Sequence, residues 1–184
     1  MATRGRFDAV TIMLHWLTVL LFVPLLASMA LLQTGSGPDP ALLIDIHRGS
    51  GAALLATTAI RFLWRQSFAR LPPFPQNMRP IHRRAVTVSE WALYVLLLAQ
   101  PLTGLAMTIA RGRAFRLIVW QVPALMGRDK ELAALLHDAH RAGAYFLLAL
   151  VGLHASAALI HHYLIRDDVL AAMLPVPTGT WQRR

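Results

Sequence analysis

Residues 139–174 read AHRAGAYFLLALVGLHASAALIHHYLIRDDVLAAML, and this stretch decides how the chain is organised. It is one long apolar helix candidate that carries His140, His154, His161 and His162. Ionisable side chains are costly at membrane depth, so their presence there points to function. His140 and His154 are fourteen residues apart, which on an α-helix is about 21 Å along the axis and about 40° around it. One helix face therefore presents two imidazoles near opposite membrane surfaces.

The rest of the chain agrees with a membrane setting. Of 184 residues, 56% are hydrophobic and only 15% charged, which places the chain in the membrane class as one integral domain, residues 1–184. No cysteine is present, so disulfides and thiolate-held metals or clusters within the chain are excluded and any metal chemistry must use His, Met or carboxylate. The formal charge of +9 would suggest nucleic acid in a soluble protein. Here the arginines flank apolar spans instead of forming a block, so the expected partner is membrane lipid and not nucleic acid. The apolar run after Arg4 and Arg6 exceeds a signal-peptide core in length and reads as a retained first span.

Four segments, residues 9–32, 43–64, 86–110 and 132–165, are long enough to cross a bilayer, which takes about twenty residues each. An all-α membrane protein follows, a four-transmembrane-helix bundle. The turn QTGSGPDP makes the first two spans antiparallel neighbours. After the second span, Pro72, Pro73, Pro75 and Pro80 exclude a regular helix and predict a basic surface loop. The third connection, RGRAFRLIVWQVPALMGRDK, reads as an interfacial segment because Trp120 and an apolar patch sit among arginines. Eleven basic residues (Arg4, Arg6, Arg61, Arg65, Arg70, Arg79, Arg83, Arg84, Arg166, Arg183 and Arg184) fall on the side of the termini. Seven (Arg48, Arg111, Arg113, Arg116, Arg128, Lys130 and Arg141) fall on the other. The positive-inside rule then puts both termini in the cytoplasm.

On that topology the histidines form two pairs at two depths. His15 and His154 lie toward the cytoplasmic side, and His47 and His140 toward the outer side. Two imidazoles from facing helices are what a six-coordinate b-type haem requires, and two such haems in a four-helix bundle make an electron wire. Zinc would gather three or four ligands in one place instead of separated pairs. Gly49, Gly51, Gly104, Gly143 and Gly152 offer places where a flat macrocycle could approach the backbone. His137 competes with His140, but it is rotated by about 100° from the face of His154. His82 reads as solvated in the loop and His162 as interfacial. His161, seven residues past His154 and close to the same face, has two readings: a donor to a quinone carbonyl, or a side chain facing lipid headgroups.

These residues sit in LHW around His15, HRGSG from His47, RFLWR, LPPFP, LYVLLLAQPLTGLAM and the closing HRAGAYFLLALVGLHASAALIHHYLIRDDVLAAMLP. With those motifs, spread over nearly the whole chain, the sequence resembles the bacterial cytochrome b561 family of four-helix dihaem membrane proteins. The resemblance implies His15, His47, His140 and His154 as axial ligands of two haem b groups in a bacterial inner membrane. It departs at Glu90, where a histidine four residues before the span-three tyrosine is common, and at Arg141, where a carboxylate is frequent.

Bis-histidine ligation leaves iron no open position, so outer-sphere electron transfer is the expected chemistry. The resemblance implies a superoxide:ubiquinone oxidoreductase, with superoxide outside and ubiquinone reduced near His161. Arg111, Arg113, Arg116, Arg128, Lys130 and Arg141 would then steer the anion to the outer face. A second reading is a cytochrome subunit that relays electrons between quinone and a periplasmic redox protein, docked on FRLIVWQVPALMG. A third is a histidine-based metal transporter, which predicts no haem absorbance.

Overall fold

The computed structural model describes residues 5–74 and 78–175. Arg4, Pro75, Arg183 and Arg184, which enter the loop and topology readings, lie outside them. Helix α1 spans Ala9–Thr34, α2 Pro40–Ser67, α3 Pro80–Ala110 and α4 Lys130–Ile160, continued by a π-turn at His161–Ile165. Asp8, Asp39 and Asp129 cap α1, α2 and α4, each accepting a backbone N–H of the first turn, which satisfies donors that a helix start otherwise leaves open. Gly35 ends α1 with φ +65, a left-handed geometry that glycine adopts without a Cβ penalty.

Three of the helices, α1, α3 and α4 with its π-turn, are long and apolar enough to cross a membrane. Helix α2 has 28 residues, about 42 Å at helical rise, but it is less apolar because it carries Asp45, Arg48, Arg61 and Arg65. Helix α1 packs on α2, α2 on α3, and α3 on α4, as short antiparallel connections require. Leu54, Leu97 and Leu147, from α2, α3 and α4, form the buried centre, with Leu21, Phe22, Leu25, Leu93, Leu96 and Val151 around them. Burying each such side chain contributes about 2 kcal/mol in water; in lipid the same contacts act through packing.

Several sequence expectations are corrected. Helix α3 starts at Pro80, six residues before the expected span, because proline at the first helical position loses no intrahelical bond and its fixed φ suits the helix. His82 therefore sits exposed in the first turn of α3 and not in a loop. The opening stretch is not a single helix: α4 begins at Lys130, ahead of it, and helix ends at Ile165. Arg166 turns left-handed, with φ 59 and ψ 45, and residues 166–174 form a strap holding a short 3-10 turn at Ala171–Met173. The chain is also not purely helical. The third connection folds into a hairpin of β1, Phe115–Leu117, and β2, Trp120–Val122, with Leu117 opposite Trp120.

The strap closes the bundle at the end where α1 starts. Phe7 N–H donates to the Ala172 carbonyl at 3.4 Å and the Trp16 indole N–H to the Met173 carbonyl at 2.7 Å, with Ala172 buried. Beside it, Asp8 ties α1 to the end of α2. It accepts from Thr11 N–H at 2.9 Å, Thr11 Oγ1 at 2.7 Å, the Trp64 indole N–H at 3.0 Å and Arg70 N–H at 3.4 Å. Partial burial pushes this carboxyl up, but the hydrogen bonds from Thr11, Trp64 and Arg70 outweigh it and hold Asp8 below its ordinary value of 3.8.

A depressed carboxylate stabilises the fold above its ordinary range, and that stabilisation is lost as pH falls through the folded value. Asp8→Ala is expected to cost about 1 kcal/mol near neutrality, the usual worth of an acidic N-cap. The gap from the parent should close as pH falls below 3.8. Thermal melts of the detergent-solubilised protein across that range check both statements.

Candidate functional site

Heptad spacing organises the interior. His140, Leu147, His154 and His161 follow one another at seven-residue intervals on α4 and its π-turn, as do His47, Leu54 and Arg61 on α2. Seven residues are nearly two full turns, so each set lies along one helix face. Leu54 and Leu147, both at the bundle centre, thus separate two polar levels, one at the hairpin end and one at the end of the termini.

At the hairpin end, the His47 and His140 rings lie 6.2 Å apart at 85°. His47 Nδ1 is 3.2 Å from the Leu25 carbonyl, and His140 Nδ1 is 3.0 Å from the Gln100 carbonyl. A carbonyl only accepts, so Nδ1 carries the proton and Nε2 is left as the free lone pair, the arrangement that prepares an imidazole to ligate a metal. Thr103 Oγ1 is 3.2 Å from His140 Nδ1. A Cβ on Gly104 would lie 3.0 Å from His140 Cε1, so a side chain there would push the ring by a few tenths of an ångström; a Cβ on Gly143 would collide with the Gln100 amide. These two glycines serve close side-chain approach. His137 is exposed, and His140 is the α4 imidazole opposite His47.

At the other end, His15 on α1 and His154 on α4 lie 6.3 Å apart at 62°. The backbones of α1 and α4 do not pack closely, so the imidazoles meet across the bundle interior. His15 Nδ1, Thr58 Oγ1 and Arg61 Nε are buried there without a hydrogen-bond partner. Arg61 lies over the Tyr94 ring at 5.4 Å and Arg65 at 5.9 Å, while Arg65 pairs with Glu90 at 2.8 Å. Glu90, the departure noted in the sequence, is thus an ion-pair partner of α2.

The imidazole pairs have a separation at which each could hold a haem. Two imidazoles ligating one ion from opposite sides, with metal–nitrogen bonds of about 2 Å, hold their ring centroids about 6 Å apart. Both pairs stand at that separation. A group with acidic substituents would also answer the buried guanidinium edge of Arg61, since an orphaned buried donor costs about 1–3 kcal/mol. Among the described residues, no group of three or more His, Cys, Asp or Glu is placed to share a metal ion.

The other candidates lie at the two surfaces. Arg111, Arg113, Arg116, Arg128, Lys130 and Arg141 are all exposed at the hairpin end, with Arg141 3.5 Å from Asp138. His161 Nδ1 is 2.6 Å from Asp167 Oδ2, and His162 stacks edge-on to Tyr163. An open, mostly apolar groove runs along the start of α1, lined among others by Arg6, Phe7, Ile12, Trp16, Leu17 and Pro175.

A bundle with facing imidazoles at two depths defines a membrane electron-transfer protein. The chain belongs to the prokaryotic cytochrome b561 family, whose model matches residues 6–176, and membership implies b-type haem. It is 28% identical over 174 residues to a probable superoxide oxidase CybB of Yersinia pestis, covering 95% of this chain and 98% of that protein. It is 29% identical over 186 residues to cytochrome b561 homolog 1 of Escherichia coli K12, covering 93% and 98%. Cytochrome b561 homolog 2 of the same organism is 29% identical over 182 residues, covering 94% and 93%.

Sequence reasoning missed Arg61, Gln100, Thr103 and Asp167 as parts of the two levels. Arg61 had a signal, since an arginine seven residues after the central Leu54 must point inward. Gln100 had one too, as an amide inside an apolar run.

Proposed function

We propose that this protein oxidises superoxide at the hairpin end and reduces ubiquinone at the end of the termini, with one haem b ligated by His47 and His140 and a second by His15 and His154. The observation that carries the reading is the pair of facing imidazole couples, each about 6 Å across, on either side of an apolar layer. When bound, the haems supply outer-sphere electron transfer, since neither iron keeps an open position. Two superoxide anions, one ubiquinone and two protons give two molecules of oxygen and one ubiquinol.

The chain's own residues have separate tasks. The Leu25 and Gln100 carbonyls fix the proton on Nδ1 of His47 and His140. Arg61, buried between α2 and Tyr94, supplies positive charge beside the second couple and favours the reduced state there. His161, two turns beyond His154, meets the quinone headgroup, and the open apolar groove at the start of α1 gives the isoprenoid tail a surface to lie on. The hairpin end faces the periplasm and both termini face the cytoplasm, as the distribution of basic residues supports.

A second reading, a cytochrome subunit for a periplasmic redox protein, is favoured by the hairpin tip, where Ile118, Val119 and Trp120 are exposed. Co-purification of a soluble partner, with no turnover on superoxide alone, would establish it in place of the first. The test common to both is a reduced-minus-oxidised spectrum with haem quantitation on the purified protein. Two haems b per chain are expected, and none would overturn the proposal.

A further inference from the structure

We infer that Asp167 is a positioning residue for His161, and that the two form a carboxylate–imidazole dyad presenting His161 Nε2 to the quinone. The inference rests on the reading of His161 as the quinone contact. It adds what holds that imidazole, in which tautomer, and why the helix ends as it does.

The geometry is specific. Asp167 Oδ2 is 2.6 Å from His161 Nδ1. An ionised carboxylate only accepts, so Nδ1 donates, and Nε2 becomes the nitrogen free to meet a ligand. The carboxylate is itself held, because its other oxygen accepts Val169 N–H at 3.1 Å. The main chain wraps the same residue: the His161 carbonyl accepts from Arg166 N–H and, at 3.1 Å, from Asp167 N–H.

Backbone features that are uncommon elsewhere converge on this contact. Helix α4 widens into a π-turn at His161–Ile165, a form that recurs at functional sites. Arg166 then takes φ 59 and ψ 45, a left-handed conformation uncommon outside glycine. Without that reversal the helix would carry Asp167 away; with it, Asp167 returns onto His161. Beyond Asp167 the strap is fastened to α1 through Trp16 and Phe7, and the Trp16 ring lies 5.8 Å from that of His15. The dyad is thereby indexed to the His15–His154 level. Both side chains keep about a third of their surface open, 34% and 37%, enough for the ring edge to be reached.

The arrangement suits both ends of quinone reduction. With the imidazole protonated, Nε2–H donates to a quinone carbonyl while Asp167 balances the charge. As the quinone takes two electrons, originating from two superoxide anions, one proton passes from Nε2 to that oxygen and the second comes from water. Neutral His161, still donating from Nδ1 to Asp167, then accepts from the quinol hydroxyl at Nε2 and is reprotonated by water after release.

The test uses the haem-loaded protein in lipid nanodiscs, with Asp167→Ala, Asp167→Asn and His161→Gln beside the parent. Haem reduction by dithionite is the control and should be equal in all. Reoxidation by ubiquinone-1 should slow about tenfold or more in His161→Gln and in Asp167→Ala, the usual scale for loss of an orienting partner. Nitrogen-15 spectra of the side chains at alkaline pH should show His161 protonated at Nδ1 in the parent and at Nε2 in Asp167→Ala. Should alanine cost folded, haem-loaded protein, Asp167→Asn carries the same two readouts with the strap acceptor kept. Slow reoxidation in His161→Gln, with parental rate and an Nδ1 proton in the Asp167 variants, overturns the dyad and leaves the quinone contact standing. Parental reoxidation in His161→Gln overturns the quinone contact and the dyad with it.

Discussion

Replacing His140 by alanine is expected to lower haem content from two b groups per chain to one and to remove one component of the reduced-minus-oxidised spectrum. The prediction follows from the 6.2 Å separation of His47 and His140 and from the carbonyl partners that leave each Nε2 unprotonated. In the proposed arrangement His140→Ala would remove one of the two residues holding the haem and open a cavity between α2, α3 and α4, so that haem would be readily lost. His137→Ala should leave both haems in place, because that side chain is exposed and does not face His47. Pyridine haemochrome quantitation on the two variants decides the matter. Two haems in His140→Ala would show that the outer imidazole pair is not a ligand pair.

The second large effect concerns superoxide. Neutralising Arg111, Arg113 and Arg116 together is expected to reduce kcat/KM for superoxide about tenfold at low salt, and the difference should shrink as ionic strength rises. Tenfold is the lower end of the steering range, for a reason visible in the structure. Asp39, Asp45, Asp129, Glu131 and Asp138 lie at the same end of the bundle, and Arg48 and Arg141 are partly answered by Asp45 and Asp138. The attraction is then local to the α3 end and the hairpin instead of a field of the whole face. Pulse radiolysis or an enzymatic superoxide source, run at two salt concentrations, measures it. Parental rates in the triple variant would assign these arginines to lipid headgroups.

Much of the site was legible because helical periodicity is rigid arithmetic. Once His140 and His154 share a face, the histidines at matching depths on other spans are His47 and His15, and the structure brings each opposite its partner. What escaped was set by tertiary contact. The partners of His47 and His140 are backbone carbonyls of Leu25 and Gln100, and every residue has a carbonyl. Asp167 carries no sequence signal, because the left-handed Arg166 that returns it to His161 is not a glycine and marks no turn. The hairpin hid for the same reason. Its two-residue loop is Ile118–Val119 with φ 57 at Ile118, where glycine, asparagine or aspartate would have announced the turn. Ile118 lies beside Gly49 of α2, where an added Cβ would touch it.

The leucine layer between the two levels has an energetic meaning of its own. Leu54, Leu97 and Leu147 are 2%, 5% and 5% exposed, with Thr58 and Gln100 the buried polar side chains one turn beyond Leu54 and Leu97. An electron can tunnel through such a layer, whereas a proton needs a chain of water or polar groups to follow it. In the proposed reaction the electron would cross this layer without a proton. On the proposed topology and reaction, with protons drawn from the cytoplasm for quinol, each electron moved inward would work against the membrane voltage, about 2.3 kcal/mol per 100 mV. Scavenging an oxidant at the outer surface would then charge the membrane as it fills the quinol pool.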